Sequence, residues 1–83
     1  MTEQAANARV LIEHIAKSLV DTPADVFVDE YEDGDETVIE LEVAEADLGK
    51  VIGRSGRIAR ALRNVLSAAG SKQDQRYALE IIE

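Results

Sequence analysis

Apolar and polar positions alternate with two different periods along the chain, and the first segment has the period of a helix. Over residues 8–20 apolar side chains recur every three or four positions, which predicts an amphipathic helix. The predicted apolar stripe consists of Leu11, Ile12, Ile15, Leu19 and Val20. Pro23 ends this helix, because the residue before a proline is displaced from helical backbone angles. Residues 1–7 are small and polar, and we expect a flexible N-terminus there.

The next two segments have the period of strands. Residues 26–32 and 36–44 predict a hairpin around the Asp33-Gly34 turn. The second strand has two alternating sets of residues: Thr37, Ile39, Leu41 and Val43 on one side, and Val38, Glu40, Glu42 and Ala44 on the other. This alternation predicts one packed face and one face in water. The acidic run at residues 29–36 lacks the spacing of a calcium loop, so we interpret it as a solvated hairpin edge and expect no metal site.

The second half of the chain predicts two helices and a strand. A short helix over residues 45–52 is followed by a glycine-containing turn and a longer helix over residues 57–69, with Gly70 as its C-terminal cap. The expected buried stripe of the longer helix is Ile58, Leu62, Val65, Leu66 and Ala69. After a loop at residues 71–74, residues 76–82 alternate as a third strand with three inward residues: Tyr77, Leu79 and Ile81.

The element order is therefore helix, strand, strand, helix, helix, strand (α-β-β-α-α-β). The first two strands can pair directly, while the third returns after a crossover of two helices. We predict an α+β fold in which a three-stranded mixed sheet is covered on one face by three helices. Residues 8–83 form a single domain in this interpretation.

Charge is distributed unevenly along this sequence. Residues 48–73 contain six basic residues and no acidic one, whereas the rest of the chain contains 17 carboxylates and three basic residues, for a net charge of −8. A general nucleic-acid binder is usually basic overall, so this balance argues against strong non-specific binding. Salt screens exposed charges beyond about 8 Å, so the basic segment can still attract an anion locally. The pattern predicts weak, focused anion binding.

Composition excludes several other classes of protein. The absence of cysteine excludes a disulfide framework and thiolate metal sites, and is typical of a reducing compartment. No apolar run approaches the roughly 18 residues that span a bilayer, and the N-terminal residues lack the pattern of a secretory leader. We expect a cytoplasmic protein that makes no membrane contact.

The candidate site is the segment Gly53-Arg54-Ser55-Gly56, in which two glycines bracket a cation and a hydroxyl. Backbone with so few side chains can approach a phosphate closely, and the helix N-terminus behind it offers unpaired N–H groups. Lys50 and Arg57 add positive charge on either side. The alternative is a tight joint between two helices whose cations only face solvent.

An enzymatic role is not indicated by these residues. The glycine spacing lacks the longer loop and the following Lys-Ser/Thr pair that cradle a nucleoside triphosphate. Ser55 has only cations near it in sequence, which leaves this hydroxyl without a general base. We expect no catalytic residue and no cofactor.

The motif resembles that of a known family. The run Val51-Ile52-Gly53-Arg54-Ser55-Gly56 between two helices, in this order of elements, resembles the GxxG motif of KH domains in their type II arrangement. With Asp47-Leu48-Gly49-Lys50 and Arg60-Ala61-Leu62-Arg63, the chain is similar to the small stand-alone bacterial KH proteins of the KhpA type. The resemblance covers residues 8–82 and implies the type II KH fold.

The resemblance also implies a binding mode. KH domains hold about four nucleotides of single-stranded RNA or DNA with the GxxG turn against the backbone. Gly53 and Gly56 would then admit the strand, and Arg54 and Ser55 would reach phosphate oxygens. Three further cations would supply longer-range attraction: Lys50, Arg57 and Arg60. The bases would lie over a groove between the short helix and the second strand, with walls that include Val51, Ile52 and Val43.

By the same resemblance, the function would be RNA binding as an RNA chaperone or post-transcriptional regulator. With three or four phosphate contacts, the logarithm of the binding constant falls against the logarithm of the salt concentration with a slope of about −2 to −3. A lone domain would therefore bind weakly. Linking two sites raises affinity without new contacts, and the chain has no room for a second module after its third strand. We therefore expect a homodimer, a heterodimer with a KhpB-type KH protein, or both. Two surfaces are candidates for the interface: the third helix around Ala61, Val65 and Ala68, and the uncovered sheet face.

A protein–protein adaptor is the alternative function. In that case the GxxG turn is only a structural joint, and the acidic surface recruits a basic partner.

Overall fold

The computed structural model describes residues 8–83, so the flexible N-terminus predicted for residues 1–7 lies outside the described residues. Within 8–83 the regular elements are three α-helices, α1 (Ala8–Leu19), α2 (Leu48–Ile52) and α3 (Arg57–Gln73), and three strands, β1 (Phe27–Asp33), β2 (Glu36–Glu42) and β3 (Arg76–Ile81). Short 3₁₀ turns lie at Pro23–Asp25, Glu45–Asp47 and Arg54–Gly56. The predicted α+β class and element order are confirmed.

The sheet is mixed, with strand order β1-β2-β3. β1 pairs antiparallel with β2, so that Tyr31 lies opposite Val38, and β3 pairs parallel with β2, so that Ala78 lies on the other side of Val38. Two helices, α1 and α3, pack on one face of this sheet. Because β2 is paired on both sides, only β1 and β3 offer free edges in the described residues.

The core lies between the helices and the sheet, and it is centred on side chains that exclude solvent completely. Ile12 of α1, Ile39 and Leu41 of β2, and Val51 of α2 all have 0% exposed surface. Leu66 of α3 closes the cluster with 1%. Burial of side chains of this size contributes about 1.5–3 kcal/mol each, which makes this cluster the main source of stability.

The predicted stripe of α1 needs one correction. Ala8, Ile12 and Ala16 form the buried line of this helix, whereas Leu11 is 39% exposed. Residues four apart lie on one helix face, so these three side chains enter the core together. Leu11 lies one position away from that line and therefore falls on the rim.

The predicted end of α3 is wrong. The helix continues to Gln73, and Asp74 in left-handed conformation (φ 57°) ends it. Gly70 lies inside the helix and is buried; a Cβ there would be 2.5 Å from the carbonyl oxygen of Gln75. Gly70 is therefore required for close approach of the chain that enters β3. On the same helix Val65, predicted to be buried, is 40% exposed, and Ala59 is buried instead.

The second strand is also shorter than predicted, because it ends at Glu42. Its outward face is not fully solvated: Val38 is only 6% exposed, between Tyr31 and Ala78 on the neighbouring strands. None of the helices in residues 8–83 combines the length and the apolar character needed to cross a membrane.

Candidate nucleic-acid interface

The predicted glycine turn joins α2 to α3 through a single 3₁₀ turn, Arg54–Gly56. Gly53 has φ 80° and ψ 169°, a region that is almost exclusive to glycine, and Gly56 is left-handed with φ 74°. The Gly53 N–H donates to the Gly49 carbonyl at 2.8 Å, and the Gly56 N–H donates to the Gly53 carbonyl at 3.1 Å. These bonds fix the turn in one geometry.

Ser55 occupies the apex of this turn. Its backbone is also left-handed, with φ 56° and ψ 25°, although serine carries a Cβ that disfavours this region. The Arg60 guanidinium donates from Nη2 to the Ser55 carbonyl at 3.0 Å, which holds the apex against the first turns of α3. The residue at the apex is exposed, so its hydroxyl is available to a ligand.

The N-terminus of α3 opens directly behind the turn. Gly56 is its N-cap and offers no side-chain hydrogen bond to the first backbone N–H groups of this helix. A helix of 17 residues has a partial positive charge at this end, which attracts an anion placed there. The Arg57 N–H donates to the Arg54 carbonyl and closes the turn. The backbone therefore adds to the attraction from the side chains.

Two predicted cations stand free beside this helix end. Arg54 and Arg57 are exposed, and no carboxylate in residues 8–83 lies within salt-bridge distance of either guanidinium. In particular, the acidic hairpin does not fold over them. Both charges therefore remain available to an external anion.

Lys50, a third predicted cation, faces a different set of neighbours. Its Nζ lies 3.3 Å from Asp21 Oδ2 and 3.5 Å from Asp47 Oδ1. The hydrogen bond and the charge of Asp21, followed by those of Asp47, raise the pKa of Lys50. These two carboxylates compete with an external anion for the Lys50 ammonium, and the part of Lys50 in binding stays a prediction.

Asp47 is a structural residue that the sequence did not reveal. The residue is 2% exposed, and its Oδ2 accepts a hydrogen bond from the Thr22 N–H at 3.0 Å. Burial opposes its ionisation, yet the backbone N–H groups of Thr22 and Asp21 and the ammonium of Lys50 outweigh this effect and lower the pKa of Asp47. Asp47 thus anchors the loop after α1 to the start of α2.

A groove of about 290 Å³ lies beside the turn, between α3 and the free edge of β3. Its lining consists of Ile52, Gly56, Ala59, Arg60, Arg63, Ile81 and Glu83. The Arg63 guanidinium lies over β3, where Nη2 donates to the Leu79 carbonyl at 3.4 Å. The groove therefore combines an apolar floor with two guanidinium groups along one wall.

The groove was predicted between the short helix and the second strand, and a cavity in that place is lined by Leu48 of α2 and Glu42 of β2. The groove beside the GxxG turn is a different one, between α3 and β3. Val51 is fully buried in the core and offers no surface to a ligand, and Val43 lines the cavity near Leu48. Of the three predicted wall residues, only Ile52 lines the groove beside the turn.

The comparisons with known proteins place this geometry in a family. A family model described as KhpA/KhpB, KH domain matches residues 9–81. A protein of Halalkalibacterium halodurans named RNA-binding protein KhpA is 53% identical over 75 residues, which cover 90% of this chain and 99% of that protein. A protein of the same name from Borreliella burgdorferi is 44% identical and covers 98% of this chain and 99% of its own.

One solved structure shows the same fold in a different setting. A crystal structure of an Aquifex aeolicus Era variant bound to GDP and aluminium fluoride superposes with a TM-score of 0.58 and 17% identity, over 89% of this chain and 29% of that longer chain. At this identity the likeness concerns the fold alone. Together with the matching family model and relatives, the GxxG turn and the order of elements show that the chain belongs to the KhpA/KhpB family of KH domains.

Proposed function

We propose that this protein binds short single-stranded RNA, with the GxxG turn against the sugar–phosphate backbone and the bases over the groove between α3 and β3. The observation that carries the proposal is the pair of guanidinium groups, Arg54 and Arg57, that have no carboxylate partner within residues 8–83 and lie at the N-terminus of α3. Relatives that match nearly the whole chain are named RNA-binding proteins, which supports RNA as the ligand. The same membership accords with the expected absence of catalytic activity.

Each residue of the proposed site has a defined part. Gly53 and Gly56 keep side chains away from the approaching strand, while Arg54 and Ser55 contact phosphate oxygens. Arg57 attracts the RNA backbone from the first turn of α3. Arg60 also attracts the RNA backbone, and its guanidinium holds the apex of the turn through the Ser55 carbonyl. Ile52 contributes to the apolar floor, and Val51 supports the turn from the core.

The test is a fluorescence anisotropy titration with a labelled single-stranded RNA of about six nucleotides. The double variant R54D/S55D places two carboxylates where phosphates would lie, and we expect it to abolish measurable binding. A matched control, S71D/K72D, makes the same charge change at the other end of α3, about 20 Å from the turn, and should bind as the unmodified protein does. Binding that survives R54D/S55D would contradict the proposed site.

We also propose that the protein works as a dimer, either with a second copy or with a KhpB-type KH protein. Three or four phosphate contacts give weak binding by one domain, and a second linked site raises the affinity. The exposed side of α3 carries an apolar row that nothing within residues 8–83 covers: Ala61, Val65 and Ala68. This row supports α3 as the interface. Action as an RNA chaperone or regulator, and the cytoplasmic location, stay predictions from the sequence.

A further inference from the structure

The sheet surface that α1 and α3 leave uncovered, here called the open face, carries side chains in lateral rows. The register places Asp29, Glu40 and Glu80 side by side across the three strands. The next row consists of Tyr31, Val38 and Ala78. One row is therefore entirely acidic, and the row beside it is apolar apart from the phenol hydroxyl.

The apolar part of the open face is accessible. Phe27 is 61% exposed and Tyr31 is 43% exposed, both on β1 and both pointing away from the helices. Val38, on the central strand beside Tyr31, is almost completely buried. The apolar row is therefore a flat surface rather than a cavity. Two exposed aromatic rings on one small surface are typical of contact sites for other macromolecules.

The acidic row is held together at short range. The Tyr31 hydroxyl donates to Glu80 Oε1 at 3.3 Å. Partial burial, then the hydrogen bond and charge of Glu80, and then the charge of Asp29 raise the pKa of Glu40. Among the strand residues of the structure, the only cation on this face is Arg76, at the far end beside Glu36. The carboxylates near the aromatic rings are therefore uncompensated.

Charge decides which occupant fits this surface. RNA and anionic membranes carry the same sign as the row of Asp29, Glu40 and Glu80, so both are repelled. A second copy packed face to face would bring two such rows together, which opposes self-association here. A cationic partner gains from every one of these carboxylates.

The size of the open face further limits which kind of partner can bind there. Three strands about 4.8 Å apart and about seven residues long present a face of roughly 15 by 23 Å. The area of such a face is well below the roughly 800 Å² that each partner buries in a standard protein–protein interface. The open face therefore suits a short segment rather than a folded domain.

We propose that the open face docks a short lysine- or arginine-rich segment of a protein partner, with an aromatic or aliphatic side chain of that segment on Phe27 and Tyr31. The cations of the segment pair with Glu40 and Glu80. The GxxG turn lies in the helical layer, so this docking does not depend on the proposed RNA site. The protein can therefore bind RNA and the segment at the same time.

The experiment is an NMR titration of the ¹⁵N-labelled protein with a peptide of alternating lysine and leucine, about seven residues long. We expect the largest amide shifts at Tyr31, Val38 and Glu80, and unchanged peptide affinity when the RNA is present. A second peptide with serine in place of leucine should bind more weakly, because it lacks the apolar contact. Equal binding of both peptides, or shifts spread over the acidic surface, would reduce the effect to general charge attraction and overturn the proposal.

Matched variants make the test specific. E40Q/E80Q removes two charges from the open face without changing side-chain size, and should weaken binding of the lysine–leucine peptide about two- to tenfold. D25N/E45Q removes two charges outside the strands, and should leave the affinity within about twofold of that of the unmodified protein. Equal weakening in both variants would contradict docking on this face. So would shifts of the same open-face amides with protein concentration or with magnesium alone, which would assign the face to a second copy or to a metal ion.

Discussion

A Cβ built on Gly53 would lie 2.7 Å from Cγ1 of Ile58 and 2.9 Å from its backbone nitrogen. Real Cβ atoms do not approach so closely, and the Gly53 backbone angles are in addition almost exclusive to glycine. At Gly56, by contrast, no atom of the described part of the chain lies within 4 Å of the added atom. The two glycines of the motif are therefore required for different reasons.

This difference predicts unequal effects of two alanine substitutions. Gly53→Ala should reduce the free energy of unfolding by at least about 3 kcal/mol, because strain and a clash with backbone act together. Gly56→Ala should cost about 1–2 kcal/mol, the penalty of left-handed backbone alone. Urea denaturation followed by circular dichroism measures both. As a control, Gly49→Ala in exposed helix should be neutral or stabilising, and similar losses at Gly53 and Gly56 would contradict this account.

Neutralising Arg57 and neutralising Lys50 should affect RNA binding differently. Arg57→Gln should weaken binding about two- to fivefold and reduce the slope of log affinity against log salt concentration by up to about 0.7, since one positive charge beside the RNA backbone is lost. Lys50→Gln should leave both quantities nearly unchanged, because Asp21 and Asp47 already compensate that charge. Anisotropy titrations at several salt concentrations measure these values. A larger loss for Lys50→Gln than for Arg57→Gln would show that Lys50 turns toward the ligand.

The buried carboxylate of Asp47 predicts a pH-dependent contribution to stability. Its pKa in the folded protein is lowered, so its contribution is present above the unfolded value of 3.8 and is lost as the pH falls through the folded pKa. Asp47→Asn should lower the melting temperature by at least about 5 °C at pH 7. The difference from the unmodified protein should shrink below about pH 4. A constant difference from pH 7 to pH 3 would exclude this role for the ionised carboxylate.

The carboxylate of Glu40 predicts a change of stability with pH that is opposite in sign to that of Asp47. Its folded pKa is raised, so the ionised form destabilises the fold at neutral pH, and this penalty disappears as the pH falls through the folded pKa toward the unfolded value of 4.5. Glu40→Gln should raise the melting temperature at pH 7, and the gain should vanish in acid. Scanning calorimetry at several pH values measures the effect. A lower melting temperature at pH 7 would mean that Glu40 makes a favourable contact as a carboxylate.

The exposed row on α3 predicts how the oligomer would respond to one substitution. Val65→Asp places a charge at the centre of the proposed interface, so sedimentation velocity should show a shift from dimer to monomer. Val65 is 40% exposed, and the melting temperature of the monomer should change little. Asn64→Asp, an exposed neighbour outside the row, is the matched control. A dimer that persists in the Val65 variant would move the interface away from α3.

The sequence predicted the larger features of the fold because each rests on a local signal. Hydrophobic periods of 3.6 and 2, the Asp33-Gly34 turn and the glycines around Arg54 are all visible within a few residues. The positions that were wrong depend on distance between elements. Ala8 and Ala16 are buried although they are small, whereas the larger Leu11 is on the rim. Periodicity alone ranks leucine as the better core residue.

For the candidate site, too, local features could be predicted from the sequence and features that depend on distant residues could not. The turn and its arginines could be named from the sequence, because glycine, serine and cations in that spacing carry their own chemistry. The groove could not, because its position depends on β3 being an edge strand beside α3. Likewise, Lys50 is compensated by Asp21, 29 positions earlier in the chain, and no local pattern indicates that pair. Gly70 resembled a helix cap and proved to be a site of close packing.

The most direct test of the central claim is an NMR titration of the ¹⁵N-labelled protein with a single-stranded RNA of about six nucleotides. We expect the largest shifts at the amides of Gly53, Ser55, Arg57 and Ile81, which surround the turn and the groove. The open face around Glu40 should remain unaffected. Shifts concentrated on another surface, with the turn amides unchanged at saturation, would contradict that claim.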